Sequence, residues 1–110
     1  MSYVPEAGDI VWIDFDPQIG REQAGYRPAL ILSSSEYNRV IGLMIVCPTT
    51  TRIKGYPYEV ALAGDPPSVA LADHARSMDW RKRGLRYKTR ASAAEMDEVR
   101  ARLAAVIGLS

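Results

Sequence analysis

Short runs of β-branched and aromatic residues, separated by turn residues, make up most of the chain. In the first run, Ile10 and Trp12 alternate with Val11, Ile13 and Phe15, so apolar side chains lie on both faces. A strand with two apolar faces is typical of a buried strand in a small barrel. The runs predict strands at 9–15, 28–33, 42–48 and 58–62, with shorter strands at 68–71 and near 76–78.

The C-terminal segment carries a helical pattern instead. Ser92 and Glu95 have the spacing of a capping box, in which each side chain satisfies a free backbone donor at the start of a helix. Apolar residues then recur at helical spacing: Met96, Val99, Leu103, Val106 and Ile107. We therefore predict a mainly β (α+β) fold, a small barrel followed by a terminal helix, as a single domain over residues 1–110.

Composition narrows the class of protein. The 110 residues are 47% hydrophobic, as in ordinary globular proteins, and no apolar run is long enough to span a membrane. The N-terminal residues lack the pattern of a secretory signal, and Cys47 is the single cysteine. We therefore expect a cytoplasmic protein without an internal disulfide or a multi-cysteine metal site.

The net charge of +1 averages over blocks of opposite sign. Residues 76–90 hold seven basic side chains against one acid, Asp79, which is a local charge of +6. Such a block suits a phosphate-bearing partner, and it is equally compatible with solvated side chains that keep the chain soluble.

Two polar loops carry the candidate chemistry. The loop at 18–27 contains Glu22, which can act as a general base, and Arg27, which can hold a phosphate with its planar guanidinium. The loop at 49–55 has three consecutive threonines and two bases, which suit phosphate or sugar oxygens. Taken alone, each loop is also compatible with ordinary solvated turn chemistry.

The sequence lacks the motifs of several other classes of catalytic site. The sequence has no P-loop, no dinucleotide glycine fingerprint and no Gly-x-Ser-x-Gly elbow. The single histidine, His74, lacks a His or Cys partner at ligand spacing, and Asp73 beside it leaves little room for a hard cation. We interpret His74 as structural or solvated, with proton transfer as the lesser alternative. Cys47 ends an apolar run before a proline, which favours an inert buried side chain over a nucleophile.

Cleavage of RNA fits this small set of groups. RNA supplies its own 2′-hydroxyl nucleophile, so the protein need only position the phosphate, assist proton transfer and stabilise the added negative charge. Arg27, Glu22 and a threonine hydroxyl are chemically sufficient for that reaction.

Five blocks of sequence resemble the MazF (PemK/MazF-like) toxin family in order and spacing. They are residues 14–17, 20–28, 46–50, 54–60 and 69–73, and the resemblance continues through 76–84 and the terminal helix. It implies an SH3-like barrel with short helical additions. It also implies a homodimeric, sequence-specific endoribonuclease, the toxin of a type II toxin–antitoxin pair. Such an enzyme cuts single-stranded messenger RNA without a metal or cofactor, leaves 2′,3′-cyclic phosphate and 5′-hydroxyl ends, and inhibits translation. The implied protein partner is a MazE-like antitoxin with an acidic, extended tail.

The resemblance also implies roles for individual residues. Arg27, in Tyr-Arg-Pro, matches the family's catalytic arginine, which stabilises a phosphorane-like transition state. Thr50 matches the catalytic threonine, with Thr49 and Thr51 as alternatives one position away. Glu22, in Glu-Gln-x-Gly, is the candidate for proton transfer or for orienting Arg27. The substrate-binding candidates are Gln23, Tyr26, Lys54, Asp73 and Arg76.

Several alternatives stay open at this point. Arg21 stands where some relatives carry histidine and Leu71 where some carry arginine, so the identity of the general base is undecided. Asp73 matches an aspartate that has a catalytic part in some relatives, and Tyr26 either stacks a base or packs. The alternative functions are a non-catalytic CcdB-like toxin of the same fold that binds DNA gyrase, and an inactive binding barrel. Neither would require the loop pair around Arg27 and Thr50.

Overall fold

The computed structural model describes residues 3–15 and 25–109. Seven strands and two helices follow one another along this part of the chain. The strands are β1 (Asp9–Asp14), β2 (Tyr26–Ile31), β3 (Leu43–Thr50), β4 (Glu59–Leu62), β5 (Ser68–Leu71), β6 (Arg76–Asp79) and β7 (Arg86–Arg90). The helices are α1 (Ser35–Ile41) and α2 (Ala93–Val106), and a 3₁₀ turn spans Ala72–His74. The predicted mainly β class is confirmed. None of the described helices is both long and apolar enough to cross a membrane.

The strands form an antiparallel half-barrel sheet in the order β4-β5-β3-β2-β1-β7, with β6 paired to β3 off this path. The eight-residue strand β3 pairs with β2, β5 and β6, and so joins the two halves of the sheet. Each face of the sheet is buried against a separate apolar cluster. Ile10 belongs to one cluster, and Val11, Ile13 and Phe15 belong to the other. The prediction of a strand with two apolar faces is confirmed.

Helix α2 begins at the predicted capping box. The Ser92 hydroxyl accepts a hydrogen bond from the Glu95 N–H at 3.1 Å, and the Glu95 carboxylate accepts one from the Ser92 N–H at 2.8 Å. Met96 and Val99 are buried in the Ile10 cluster. The remainder of the predicted apolar stripe is wrong as a core face, because the helix extends beyond the core that it covers. Leu103 is half-buried, and Val106 and Ile107 are exposed.

Helix α1 was not predicted. Its first turn is capped by the Ser34 hydroxyl, which accepts from the Tyr37 N–H at 3.2 Å. It ends at Gly42, whose φ of +82° lies in the left-handed region, and a Cβ there would stand 2.8 Å from an Arg81 guanidinium nitrogen. The one buried residue of the helix is polar Asn38, which is the inverse of an amphipathic pattern.

Strand β7 was not predicted either. All five of its residues are exposed, and its backbone pairs with β1 along one edge of the sheet. Part of the basic block is therefore an edge strand, which is a usual place for charged side chains.

Candidate active site

The ends of β2 and β3 bring Arg27 and Thr50 together. The two strands pair with Ala29 opposite Pro48 and Leu30 opposite Cys47. Continuing this register by two residues sets Arg27 opposite Thr50, and opposite residues on antiparallel strands project to the same face. Both residues line a cleft of about 450 Å³.

The same cleft collects side chains from three further elements. Lys54 comes from the loop after β3, Glu59 from the start of β4, and Asp73 and His74 from the 3₁₀ turn. The structure thus brings together four of the predicted site residues, which are Arg27, Thr50, Lys54 and Asp73.

Arg27 is the chemically distinctive group of the cleft. Its Nε is buried, and it has no hydrogen-bond partner in the part of the chain that the structure describes. A buried donor without a partner normally costs stability, so natural proteins rarely keep one without a functional reason. The planar guanidinium of a residue that lines a cleft is suited to an oxyanion such as a phosphate.

The loop that carries Lys54 is held from two sides. The Glu59 carboxylate accepts hydrogen bonds from the Lys54 N–H, at 3.1 and 3.2 Å to its two oxygens, and from the Gly55 N–H at 2.8 Å. From α2, an Arg102 guanidinium nitrogen donates to the Pro57 carbonyl, and Glu98 pairs with Arg102 at 2.8 Å. Side-chain-to-backbone hydrogen bonds of this kind fix the conformation of a polar loop that has no apolar core of its own.

The three threonines differ in position. Thr49 is buried, Thr50 is half-buried and Thr51 is exposed. The Thr50 hydroxyl accepts from the Arg52 N–H at 3.1 Å, which leaves its proton available for donation. Thr50 and Thr51 both line the cleft, whereas Thr49 does not.

A second cleft, of about 360 Å³, adjoins the first at Arg27 and Thr50. Trp12 and Lys88 line its other side. The Trp12 ring stacks on Tyr26, with ring centroids 6.0 Å apart and planes 12° from parallel. Lys88 lies 5.9 Å from the Trp12 ring and Arg86 lies 5.7 Å from the Tyr26 ring. We call Trp12, Tyr26, Arg86 and Lys88 the aromatic–basic surface.

Two more predicted residues, Tyr26 and Arg76, are described by the structure, and both lie apart from the first cleft. Tyr26 is on the aromatic–basic surface, and its hydroxyl donates to the Gly84 carbonyl at 3.1 Å. Arg76 lies on β6 with its guanidinium 5.8 Å from the Phe15 ring, and it lines neither cleft. Glu22 and Gln23 fall outside the described residues.

Cys47 and His74 differ in their accessibility. Burial raises the pKa of the Cys47 thiol to about 12, and the charge of Asp73 adds to the shift. Cys47 is therefore a neutral, buried side chain, in agreement with the prediction. His74 is instead 54% exposed, with its Nε2 at 3.9 Å from the Asp73 carboxylate. Within residues 3–15 and 25–109, no group of three or more His, Cys, Asp or Glu side chains is placed to hold a metal ion.

Comparison with known proteins decides the family. Residues 6–107 match the family described as PemK-like, MazF-like toxins of type II toxin–antitoxin systems. The chain belongs to this family. The match covers both loops, the cleft and the aromatic–basic surface, so every feature described above lies inside the MazF-like toxin region.

Individual relatives agree with the assignment. The endoribonuclease toxin MazF of Escherichia coli K12 is 46% identical over 107 residues, which are 96% of each chain. The crystal structure of MazF (Form-I) from Deinococcus radiodurans superposes with a TM-score of 0.91 at 50% identity, covering 97% of this chain and 99% of that one. A MazE–MazF structure (Form-II) from the same organism has a TM-score of 0.87 at 46% identity, covering 99% and 100%. This MazF-like toxin is accordingly an endoribonuclease. The matches do not favour the CcdB-type alternative.

Two features of the structure of this MazF-like toxin were not predicted from the sequence. The sequence analysis assigns no role to Glu59, although a carboxylate four residues after Gly55 is well spaced to accept from the N–H groups of the turn. The aromatic–basic surface joins β1, β2 and β7, and no local pattern indicated that Trp12 and Lys88 would meet.

Proposed function

We propose that this toxin cleaves single-stranded messenger RNA at a specific sequence and without a metal ion. The observation that carries the proposal is that Arg27, Thr50 and Lys54 line one cleft. A planar guanidinium in this position can donate to the oxygens of a phosphate bound in the cleft.

The proposed reaction uses the 2′-hydroxyl of RNA as the nucleophile. The O2′–P bond forms and the P–O5′ bond breaks, which leaves a 2′,3′-cyclic phosphate and a 5′-hydroxyl. Arg27 stabilises the extra negative charge on the phosphorane, and the Thr50 hydroxyl donates to a non-bridging oxygen. Glu22 stays our candidate for removing the 2′-hydroxyl proton or orienting Arg27.

The rest of the RNA follows the basic groups on both sides of Arg27. Lys54 contacts the backbone on one side, and Asp73 lies beside it to accept from a base or sugar. On the other side the aromatic–basic surface offers stacked rings and two cations, a combination suited to single-stranded nucleic acid. Gln23 and Arg76 stay predictions as further contacts, and Tyr26 is assigned here to the stacking surface.

A MazE-like antitoxin is the proposed protein partner. Two of the similar Deinococcus radiodurans structures are MazE–MazF complexes. An acidic, extended antitoxin tail would be attracted by the same basic groups that bind RNA, so the two ligands should compete.

We also propose a homodimer formed through α1 and β3. Val40 and Ile41 are 65% and 52% exposed on α1, and Leu43 and Ile45 project outward from β3 at 36% and 37%. Adjacent exposed apolar side chains on one surface are typical of a protein–protein interface. The single toxin domain over 1–110 and the cytoplasmic location, where messenger RNA is available, stay predictions.

The experiment is incubation of the purified protein with a long single-stranded RNA in excess EDTA, followed by mapping of the cut sites and their end groups. We expect discrete cuts at a short repeated sequence, cyclic phosphate and 5′-hydroxyl ends, and loss of protein synthesis when the same RNA is translated in vitro. Cuts that require added Mg²⁺, or ends that carry a 5′-phosphate, would refute the mechanism.

The dimer and the antitoxin need separate measurements. Light scattering should give twice the monomer mass, and Ile45→Glu should shift it toward the monomer because a charge is costly in an apolar interface. An acidic peptide that protects the RNA from cleavage should also displace a labelled, uncleavable 2′-deoxy analogue. A peptide that binds without displacing the RNA analogue would contradict the proposal that the two ligands share a surface.

A further inference from the structure

His74 occupies a position in the cleft that the proposed function does not yet use. It lines the same cleft as Arg27 and Thr50, and its side chain is 54% exposed. The 3₁₀ turn beneath it is fixed, because Ala72 is fully buried and its N–H donates to the Tyr58 carbonyl at 3.1 Å. The imidazole is thus accessible to RNA while its backbone is anchored.

The reaction leaves one chemical task unassigned. When the P–O5′ bond breaks, the departing alkoxide needs a proton, since an alkoxide is a poor leaving group at neutral pH. Imidazole is the only side chain whose ordinary pKa, about 6.5, lies near neutrality. His74 is the one histidine of the sequence.

Charged side chains of both signs line the cleft around His74. The Asp73 carboxylate lies 3.9 Å from the His74 Nε2, and Glu59 adds a second carboxylate from β4. Arg27, Arg52 and Lys54 are the cations of the same cleft. The other neighbouring elements contribute Tyr56 from the loop, the neutral Cys47 thiol from β3, and Arg102, which reaches the loop from α2.

We propose that His74 is the general acid that protonates the 5′-oxygen of the leaving strand. This inference rests on the proposed function. As the O2′–P bond forms and the P–O5′ bond breaks, the imidazolium gives its proton to O5′ and becomes neutral. It regains a proton from water, while the 2′-hydroxyl proton goes to the general base.

The test compares two versions of one RNA oligonucleotide that contains the mapped cleavage sequence. In the second version the 5′-oxygen of the scissile linkage is replaced by sulfur. A thiolate leaves without a proton because the ordinary pKa of a thiol is about 8.5. The variants are His74→Gln and, as a matched control, Arg52→Gln, which removes a cation from the same cleft.

On the oxygen RNA we expect His74→Gln to lower kcat on the order of 10²-fold with little change in KM. On the sulfur RNA the variant should approach the unmodified protein, within roughly threefold, because no leaving-group proton is needed. If Arg52→Gln lowers kcat, it should lower it by the same factor on both RNAs. For the unmodified protein, kcat should fall toward alkaline pH on the oxygen RNA but not on the sulfur RNA.

Three results would contradict the inference. If His74→Gln cleaves oxygen RNA as fast as the unmodified protein, or is equally slow on both RNAs, His74 is not the acid. If the unmodified protein cleaves neither RNA, the proposed function itself fails, and this inference fails with it.

Discussion

Replacing Arg27 by methionine should stabilise the free protein while removing its activity. The buried Nε of Arg27 has no hydrogen-bond partner among the described residues. An unsatisfied buried donor costs about 1–3 kcal/mol. Methionine keeps an unbranched apolar stem and removes the donor, so we expect a gain of about 1 kcal/mol after some lost packing. For a domain of this size that raises Tm by roughly 4 °C.

The same change should lower kcat for RNA cleavage by about 10²–10³-fold, because a charge-stabilising donor at the phosphate is lost. Thermal unfolding and cleavage are measured on the same preparations at one protein concentration, since the proposed dimerisation would link Tm to concentration. The matched control is Arg52→Met, which makes the identical substitution at an exposed position of the same cleft. We expect its Tm to change by less than about 1 °C, as for most surface substitutions. An Arg27→Met protein that melts lower than the unmodified one, or that cleaves RNA normally, would refute the reasoning.

Three further substitutions test other parts of the molecule. Glu59→Ala removes the hydrogen-bond acceptor of the Lys54 loop. It should raise KM for RNA about tenfold, the equivalent of about 1.4 kcal/mol in binding. An unchanged KM would show that the loop keeps its conformation without the Glu59 carboxylate. Desolvation would raise the pKa of Glu95, but hydrogen bonds from the Ser92 and Ala63 N–H groups lower it. This stabilisation is present above the carboxyl's unfolded pKa and is lost as pH falls, so Glu95→Gln should flatten the acid side of the urea-unfolding free energy; an identical acid slope would count against the bonds. The pKa of Cys47 is raised from 9.0 to about 12, so stability should decline between those pH values and less steeply in Cys47→Ala; iodoacetamide labelling of the native protein at pH 8 would contradict its burial.

The elements that the sequence predicted correctly are those with strong local signals. Strand β5 is found where the pattern indicated, at Ser68–Leu71, and the capping box of Ser92 and Glu95 starts α2 as expected. Boundaries elsewhere shifted by one or two residues, as at β2, which begins at Tyr26 instead of Pro28. The shift matters for function, because it places Arg27 on a strand and not in a mobile loop.

The two missed elements lack such signals for a physical reason. Helix α1 buries polar Asn38, whose side-chain amide donates to the Pro5 and Ser33 carbonyls at 2.9 and 3.2 Å. Its apolar residues face outward, so a search for a buried stripe fails. Strand β7 has no buried face at all and is held by backbone pairing to β1. Both elements depend on partners distant in sequence.

The sequence by itself determined the chemistry available to this protein: one histidine, one cysteine, the threonine run, and an arginine before a proline, on a mainly β chain of the MazF type. Only the tertiary structure decided which of these groups meet. The register of β2 against β3 places Arg27 beside Thr50, and the turn after β5 carries His74 into the same cleft. These residues lie 23 and 47 positions from Arg27 along the chain. Their approach is set by strand pairing and by burial on two sheet faces, which are non-local properties that no window of sequence contains.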